Sequence, residues 1–290
     1  IPEITAMVDE VRAAGFTHAL LLGMGGSSLA AEMFRFTFGV KEGYLDLAVL
    51  YSTDPGAVLA HANGLDFAKS LFIVSTKSGG TVETTSFMKY FYNQVSDAVG
   101  PEKTGKHFIA ITDPGSGLEN MAKELKFRKI FLNNPDIGGR YSALSYFGLV
   151  PAALIGVDLT KLLKNAAIMA ENCKSLKLEL EEKNTGVLLG TIMGELAKSG
   201  RDKVTLIASP EIKYFGTWVE QLIAESTGKE GVGILPVDGE LLVKPHEYGD
   251  DRLFVYLHLD IEDIYSEKIR LLIDTENPVV QFDLKDIYDL

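Results

Sequence analysis

The sequence predicts an α/β fold in which parallel sheets carry helices on both faces, a three-layer αβα arrangement. Short apolar runs bounded by turn residues are typical of strands that are buried on both faces. Patterns of helical period separate most of these runs, and strands that alternate with helices form parallel βαβ units. The predicted strands of the first half lie at residues 18–22, 47–52, 71–76, 107–112 and 129–132.

The same pattern resumes after a charged stretch at residues 179–184, which predicts a two-domain chain. The first domain is predicted to span residues 1–178 and to end in an amphipathic exit helix. The second domain, residues 179–290, contains further predicted strands at 203–208, 253–259 and 278–282. The chain has no initiator Met and no obvious stop, so we expect a fragment whose second domain is incomplete at its carboxyl terminus.

Composition limits the partners of the protein. The chain has 290 residues and a formal net charge of −12, and its pI is about 4.9. Such an acidic balance argues against nucleic acid and anionic membranes, although a local site can still bind an anionic metabolite. No apolar run reaches the roughly 18 residues of a membrane-spanning helix. The single cysteine, Cys173, cannot form an internal disulfide, which fits a reducing, cytoplasmic environment.

The hydroxyl turn (residues 75–81, STKSGGT) follows the third predicted strand and precedes a predicted helix. It combines four hydroxyl side chains with a lysine and two glycines. Hydroxyls and accessible amides bond phosphate oxygens, and a helix N-terminus stabilises an anion. The alternative is an ordinary strand-to-helix turn in which Ser or Thr caps the helix. Capping needs only one or two hydroxyls, so we favour a phosphate site.

Two further turns are rich in glycine. The glycine turn (residues 23–28, GMGGSS) follows the first predicted strand and lacks the GxGxxG spacing of a dinucleotide-binding turn. The arginine turn (residues 138–142, GGRYS) places a fixed cation beside an open backbone. Tight packing is the alternative for the first turn, and a solvated surface arginine for the second. Because parallel strands end at one edge of a sheet, the glycine and hydroxyl turns could converge on one site.

A predicted helix that begins near residue 216 contains another chemical candidate, Glu225. Trp218 and Leu222 fall on one apolar stripe at about 100° per residue, with Glu225 at its edge and Gln221 beside it. A carboxylate that borders an apolar face would have a raised pKa, as a general base near neutrality requires. The same pattern also fits a boundary Glu that faces water. The histidines show no metal-binding spacing, so no metal site is expected.

Four motifs together resemble the phosphoglucose isomerase family in order and spacing. They are GMGGSSLA at residues 23–30, STKSGGTVET at 75–84, GGRYS at 138–142 and ESTGKEG at 225–231. The resemblance covers nearly the whole chain, and residues 218–237 are most similar to isomerase halves fused to a transaldolase in some bacteria. It implies two sugar-isomerase (SIS) domains, each a parallel sheet of about five strands with helices on both faces, and a homodimer.

The resemblance also implies a reaction, the interconversion of glucose 6-phosphate and fructose 6-phosphate in glycolysis and gluconeogenesis, with no metal or redox cofactor. Glu225 would move a proton between C2 and C1, and Arg140 would stabilise a cis-enediolate. Gly139 would face the reacting carbons, and Gln221 matches a glutamine near the substrate. The residues implied to hold the sugar phosphate are Gly26, Ser27, Thr76, Lys77, Ser78 and Thr81.

Some features depart from the family pattern. Gly79 and Gly80 replace a Phe-Thr pair of many eukaryotic members, and no stretch matches the ring-opening His or the C-terminal Lys of the family. His246 follows Glu225 in a different context, KPHEYGDD. One alternative is a non-catalytic sugar-phosphate-binding SIS module, which does not need Glu225 and Arg140 in one cleft. Another is a dual phosphoglucose and phosphomannose isomerase.

Overall fold

A computed structural model describes residues 1–174, 184–260 and 264–290. The chain divides into two compact units, Ile1–Leu159 and Thr160–Leu290. The boundary that the sequence predicts, between residues 178 and 179, lies outside the described residues. All but the first residue of the helix predicted to leave the first domain belongs to the second unit.

A five-stranded sheet forms the centre of the first unit. Its strands pair in the order β2-β1-β3-β4-β5, and every pairing is parallel. The strand order therefore reverses between β1 and β3, and ligands of such sheets bind beyond the carboxyl ends of the strands at this switch point. The strands are β1 (His18–Gly23), β2 (Asp46–Leu50), β3 (Ser70–Ser75), β4 (Phe108–Thr112) and β5 (Lys129–Leu132).

Helices cover both faces of this sheet. On one face, Phe72 of β3 stacks on Phe91 and Phe108, with ring centroids 5.2 and 5.1 Å apart, in a core that side chains of α3, α4 and α6 complete. Side chains alternate along a strand, so buried Leu71 and Ile73 face the opposite layer, in which α7 packs on α1 and α2. The helices are α1 (Pro2–Ala13), α2 (Leu29–Phe38), α3 (Pro55–Gly64), α4 (Val82–Val99), α5 (Pro101–Thr104), α6 (Gly117–Glu124) and α7 (Tyr146–Leu154).

The second unit contains a four-stranded parallel sheet in the described residues, with the order β7-β6-β8-β9. Its helix α9 packs on one face against Val204 and Val255, and α11 packs on the other against Phe254 and Tyr256. The elements are α8 (Leu159–Lys174), α9 (Thr185–Lys198), β6 (Lys203–Ala208), α10 (Phe215–Thr227), β7 (Leu235–Val237), β8 (Arg252–Leu259), α11 (Ser266–Asp274) and β9 (Val279–Leu284). The α/β class, with two parallel sheets flanked by helices, is confirmed.

The sequence analysis missed β7. This strand has three residues and includes Pro236, which has no N–H to donate to a ladder and therefore occurs mainly on edge strands. Among the described residues, the strand is indeed at the edge of its sheet, with β6 as its one neighbour. In the part of the chain that the structure describes, no helix combines the length and apolar character needed to cross a bilayer.

Candidate functional site

The glycine turn and the hydroxyl turn lie side by side at the switch point of the first sheet. They follow β1 and β3, which pair in register so that Gly23 is opposite Ser75. The Ser75 hydroxyl donates a hydrogen bond of 2.7 Å to the carbonyl oxygen of Ser27 and so joins the two turns. Residues that the sequence separates by about fifty positions thus share one edge of the sheet.

The hydroxyl turn keeps several donors unused. The hydroxyl oxygens of Thr76 and Thr81 lie 3.0 Å apart, and the Ser78 hydroxyl accepts from the Gly80 amide at 3.3 Å. Within the described residues, the amides of Ser78, Gly79 and Thr81 have no hydrogen-bond partner. Thr76 is buried, whereas Ser78 is exposed, so the turn runs from the interior towards solvent. Hydroxyls and unpaired amides within one turn are the donors that an anion site requires.

The helices that leave these two turns have no side-chain caps. Helix α4 begins after Thr81 and α2 begins after Ser28, and neither hydroxyl bonds an amide of the first helical turn. By contrast, Asp54 caps α3 and Ser116 caps α6, the helices that follow β2 and β4. The amides and positive dipole ends of α2 and α4 therefore remain available to an anion. The structure disfavours the interpretation of the hydroxyl turn as an ordinary capped turn.

Gly79 fixes the path of the hydroxyl turn. Its φ of +72° lies in the left-handed region that favours glycine, and a Cβ atom there would lie 2.5 Å from the backbone nitrogen of Leu118 in α6. Both observations explain why this position of the turn is glycine. The turn is packed against the start of α6.

The arginine turn packs on the glycine turn. A Cβ atom at Gly26 would lie 2.4 Å from the carbonyl oxygen of Gly139 and 3.1 Å from the nitrogen of Arg140, so only glycine permits the contact. The buried Ser142 hydroxyl lies 2.6 Å from the Gly139 oxygen and 3.2 Å from the Gly26 oxygen, where it can donate to either. The half-buried Arg140 guanidinium lies 4.7 Å above the ring centroid of Tyr141. The structure therefore brings Gly26, Gly139 and Arg140 together.

Lys77 differs from the other residues of the hydroxyl turn. Its ammonium contacts the carboxylate of Asp113, which follows β4, and donates at 2.8 Å to the carbonyl oxygen of Pro135. The resemblance implies a phosphate-binding role for this residue. In the structure the ammonium is paired with these protein groups, and the amides of Ser78, Gly79 and Thr81 are donors of the turn that have no partner among the described residues.

Gln221 and Glu225 lie one turn apart on α10, in the second unit. The Gln221 side-chain amide donates a hydrogen bond of 2.9 Å to the Glu225 carboxylate. Val219 of the same helix is buried, whereas Glu225 is exposed. Glu225 therefore lies on the exposed side of α10.

Asp238, which the sequence analysis did not single out, supports the start of α10. Its carboxylate accepts a hydrogen bond of 3.2 Å from the Thr217 hydroxyl, and a Cβ atom at Gly216 would lie 1.9 Å from one of its oxygens. Burial raises the pKa of Asp238 above its ordinary value of 3.8. A signal was present in the sequence: a glycine near the start of a helix allows a close approach of another group.

Two other features lie outside this arrangement. The described residues contain no group of three or more His, Cys, Asp and Glu side chains arranged to hold a metal ion. A groove of about 340 Å³ in the first unit includes none of the predicted site residues, and its lining comes mostly from α3 and α4. Its lining residues are Thr53, Pro55, Val58, Leu59, Ser86, Phe87 and Tyr90.

Comparison with known proteins places the chain in a family. The family model described as phosphoglucose isomerase matches residues 10–238, which include all four motifs. The chain belongs to the phosphoglucose isomerase family. Among curated relatives, glucose-6-phosphate isomerase of Carboxydothermus hydrogenoformans is 33% identical over 240 residues, 79% of this chain and 50% of the relative. The enzyme of the same name from Staphylococcus saprophyticus is 31% identical over 239 residues, again 79% of this chain and 53% of the relative.

The solved structures agree with a phosphoglucose isomerase fold. A hypothetical protein from Thermus thermophilus matches with a TM-score of 0.85 at 23% identity, over 99% of this chain and 78% of that one. A glucose-6-phosphate isomerase from Chlamydia trachomatis matches with a TM-score of 0.75 at 19% identity, over 94% of this chain and 57% of that one. The chain spans about half the length of the curated family members it matches.

Proposed function

We propose that the protein is an aldose–ketose isomerase that interconverts glucose 6-phosphate and fructose 6-phosphate. The observation that carries this proposal is that a hydrogen bond joins the turns before two uncapped helices, α2 and α4, and that the arginine turn packs on the glycine turn. Uncapped helix N-termini can bind a phosphate, and a fixed guanidinium can stabilise the negative charge that develops on a sugar oxygen during isomerisation. Curated relatives named glucose-6-phosphate isomerase support the choice of substrate.

The phosphate is proposed to bind at the switch point of the first unit. The Thr76, Ser78 and Thr81 hydroxyls and the unpaired amides of the hydroxyl turn would donate to its oxygens, and Ser27 with Gly26 would close the site from the glycine turn. Contacts to the distant phosphate would hold the sugar in position for reaction at C1 and C2. On an acidic chain, such a local site of donors also explains how an anionic substrate is bound.

The chemistry is proposed to be a proton transfer between neighbouring carbons. Glu225 would remove the C2 proton of the open-chain aldose, leaving a cis-enediolate, and would return it to C1 to give the ketose. The guanidinium of Arg140 would stabilise the negative charge on the enediolate oxygen, with Gly139 beside the reacting carbons. Gln221 would orient the Glu225 carboxylate through the hydrogen bond between them. The isomerisation moves one proton from C2 to C1 and a second from the C2 hydroxyl to the C1 oxygen, and it needs no outside oxidant.

We further propose that the enzyme works as a cytoplasmic homodimer within glycolysis and gluconeogenesis. The family resemblance implies the homodimer, and the single cysteine fits a reducing, cytoplasmic environment. The proposed domain division, with the boundary after residue 178, remains a proposal beside the compact units described above.

The experiment is an isomerisation assay on the protein expressed from its complete reading frame. Fructose 6-phosphate is supplied, and glucose 6-phosphate and mannose 6-phosphate are measured separately. In parallel, calorimetry measures binding of glucitol 6-phosphate, which has no carbonyl and cannot react. Glucose 6-phosphate as the sole product supports the proposal, and both products indicate the dual isomerase. Binding without turnover identifies a non-catalytic sugar-phosphate module, and absence of both overturns the proposal.

A further inference from the structure

Lys77 occupies the middle of the proposed phosphate site, yet its ammonium is held by other parts of the first unit. It forms a salt bridge with Asp113 and donates a 2.8 Å hydrogen bond to the carbonyl oxygen of Pro135. The Asp113 side chain is 15% exposed and the Lys77 side chain 33%, so the ion pair is largely shielded from solvent. A shielded, hydrogen-bonded ion pair holds its geometry more firmly than one on an open surface.

The backbone of Lys77, like its side chain, is bound by residues at the end of β4. Its carbonyl oxygen accepts from the Asp113 amide and from the Thr112 hydroxyl, both at 3.2 Å. Three hydrogen-bonding groups near the end of β4 therefore hold this one residue. Such an anchor fixes the point at which the hydroxyl turn leaves β3, and with it the direction of the amides that follow.

Pro135 extends the connection to the arginine turn. It lies in the loop between β5 and the arginine turn, three positions before Gly138. The same loop is anchored further back, where the Asn133 side chain accepts from the Tyr146 amide at 3.0 Å. The Lys77 ammonium thus joins the turn proposed to hold the phosphate to the segment that leads to Arg140.

We propose that Lys77 is a positioning residue that, together with Asp113, sets the distance between the phosphate-binding turn and the arginine turn, and is not itself a phosphate ligand. This inference rests on the proposed function. In this inference the hydroxyls and amides of the turn bind the phosphate, because the Asp113 carboxylate already balances the charge of the Lys77 ammonium. It also assigns a role to Asp113, a residue outside all four sequence motifs.

The two possible roles of Lys77 predict opposite results for Asp113→Asn. If the ammonium binds phosphate, removing its competing carboxylate frees it and tightens binding of a sugar phosphate. If the ammonium is a bridge, the substitution loosens it and disturbs the placement of Arg140. A misplacement of about 1 Å can lower a rate by roughly 100-fold. Binding through the hydroxyls and amides would change much less.

The test uses the protein from its complete reading frame with the variants Asp113→Asn, Lys77→Met and the double variant Lys77→Met/Asp113→Asn. The double variant leaves no unpaired carboxylate, so it keeps the test possible if Lys77→Met does not fold. Lys69→Met is the matched control, because it breaks an exposed ion pair with Asp66 in the same unit. The measurements are kcat and KM for fructose 6-phosphate and the Kd of glucitol 6-phosphate.

We expect kcat to fall by about 10- to 100-fold in all three variants, with the analogue Kd within about threefold of wild type and Lys69→Met unchanged. The double variant should lose no more than the single variants, since each removes the same bridge. Tighter analogue binding in Asp113→Asn, or Kd raised about tenfold or more in Lys77→Met with kcat retained, would overturn the inference in favour of a direct ligand.

A separate readout covers failure of the proposed function. If wild-type protein neither converts fructose 6-phosphate nor binds the analogue, the isomerase proposal fails by itself. Hydrogen exchange then tests the bridge, because amides at residues 136–142 should exchange faster in Asp113→Asn than in wild type if Lys77 holds that loop. Unchanged exchange there would refute the bridge, whatever the activity of the protein.

Discussion

Gly26 lies directly against the backbone of Gly139, although 113 positions separate them in the chain. A Cβ atom at position 26 would fall 2.4 Å from the Gly139 carbonyl oxygen, closer than real Cβ atoms approach any atom. The neighbour is backbone and not the end of a flexible side chain, so it cannot move away by rotating. The contact joins the first motif to the third without any side chain.

Gly26→Ala is therefore expected to push the arginine turn away from the glycine turn. Overpacking a tight contact costs about 1–3 kcal/mol of stability, so the melting temperature should fall. Because Arg140 is displaced, turnover should also fall in protein that is still folded. Gly64→Ala is the control, because a Cβ atom at the end of α3 would meet nothing within 4 Å. Thermal unfolding and isomerase assays on both variants provide the measurement. Normal turnover in Gly26→Ala would contradict the expectation that this contact places Arg140 for the reaction.

The first sheet could be predicted from sequence because each strand is a continuous apolar run. The predicted run at residues 71–76 corresponds to β3, all six residues of which are buried. Such runs are the expected signature of strands covered on both faces. The short edge strand β7 could not be predicted, because Pro236 is a poor strand residue and three residues carry little pattern.

The strand order and the pairing of Lys77 lay beyond sequence reasoning. A hydroxyl-rich turn predicts hydrogen-bond donors, but the pattern does not indicate which of these donors are already bonded to other parts of the protein. The caps on α3 and α6, and their absence on α2 and α4, distinguish the turns that remain open. Likewise, Asp113 and Asp238 belong to no sequence motif. Each contacts a residue that is distant in sequence, so the sequence pattern could not reveal them.

Thr81→Val is expected to weaken phosphate binding. Valine has the shape of threonine but lacks the hydroxyl, which lies 3.0 Å from the Thr76 hydroxyl at the start of α4. A hydrogen bond to a charged group contributes about 1.5–3 kcal/mol, so the Kd for glucitol 6-phosphate should rise by about 10- to 100-fold. Ser86→Ala, on the exposed side of the same helix, should leave it unchanged. An equal effect of both substitutions would count against a phosphate at the hydroxyl turn.

His107 should make the fold less stable in mild acid. Burial lowers the pKa of this 8% exposed ring below its ordinary value of 6.5, against an opposing effect of its hydrogen bond with the Ser70 carbonyl. Above 6.5 the ring is neutral in both the folded and unfolded states. Below it the unfolded chain binds the proton first, so the free energy of unfolding falls as pH drops towards the folded pKa.

The variant His107→Asn keeps a donor for the Ser70 carbonyl and removes the titration. Urea unfolding at about pH 7.5 and pH 5 should show a smaller loss of stability in this variant than in wild type. His246→Asn, in an exposed position, is the control for the general effect of acid and should behave as wild type. Identical losses in His107→Asn and wild type would contradict the assignment.

Glu225→Gln is expected to abolish isomerisation and to spare substrate binding. Glutamine keeps the size of the side chain and its hydrogen-bonding reach to Gln221, but it cannot accept a proton from a sugar carbon. A positioned general base contributes roughly 10²–10⁴-fold in rate, so turnover in the complete protein should fall by at least that range. The phosphate donors proposed here lie in the first unit, whereas Glu225 lies in the second, so the Kd of glucitol 6-phosphate should stay close to wild type.

Glu220→Gln removes an exposed carboxylate from the same helix and should leave both quantities unchanged. Near-normal turnover in Glu225→Gln would eliminate this carboxylate as the base, and a joint loss of turnover and analogue binding would assign it a structural role.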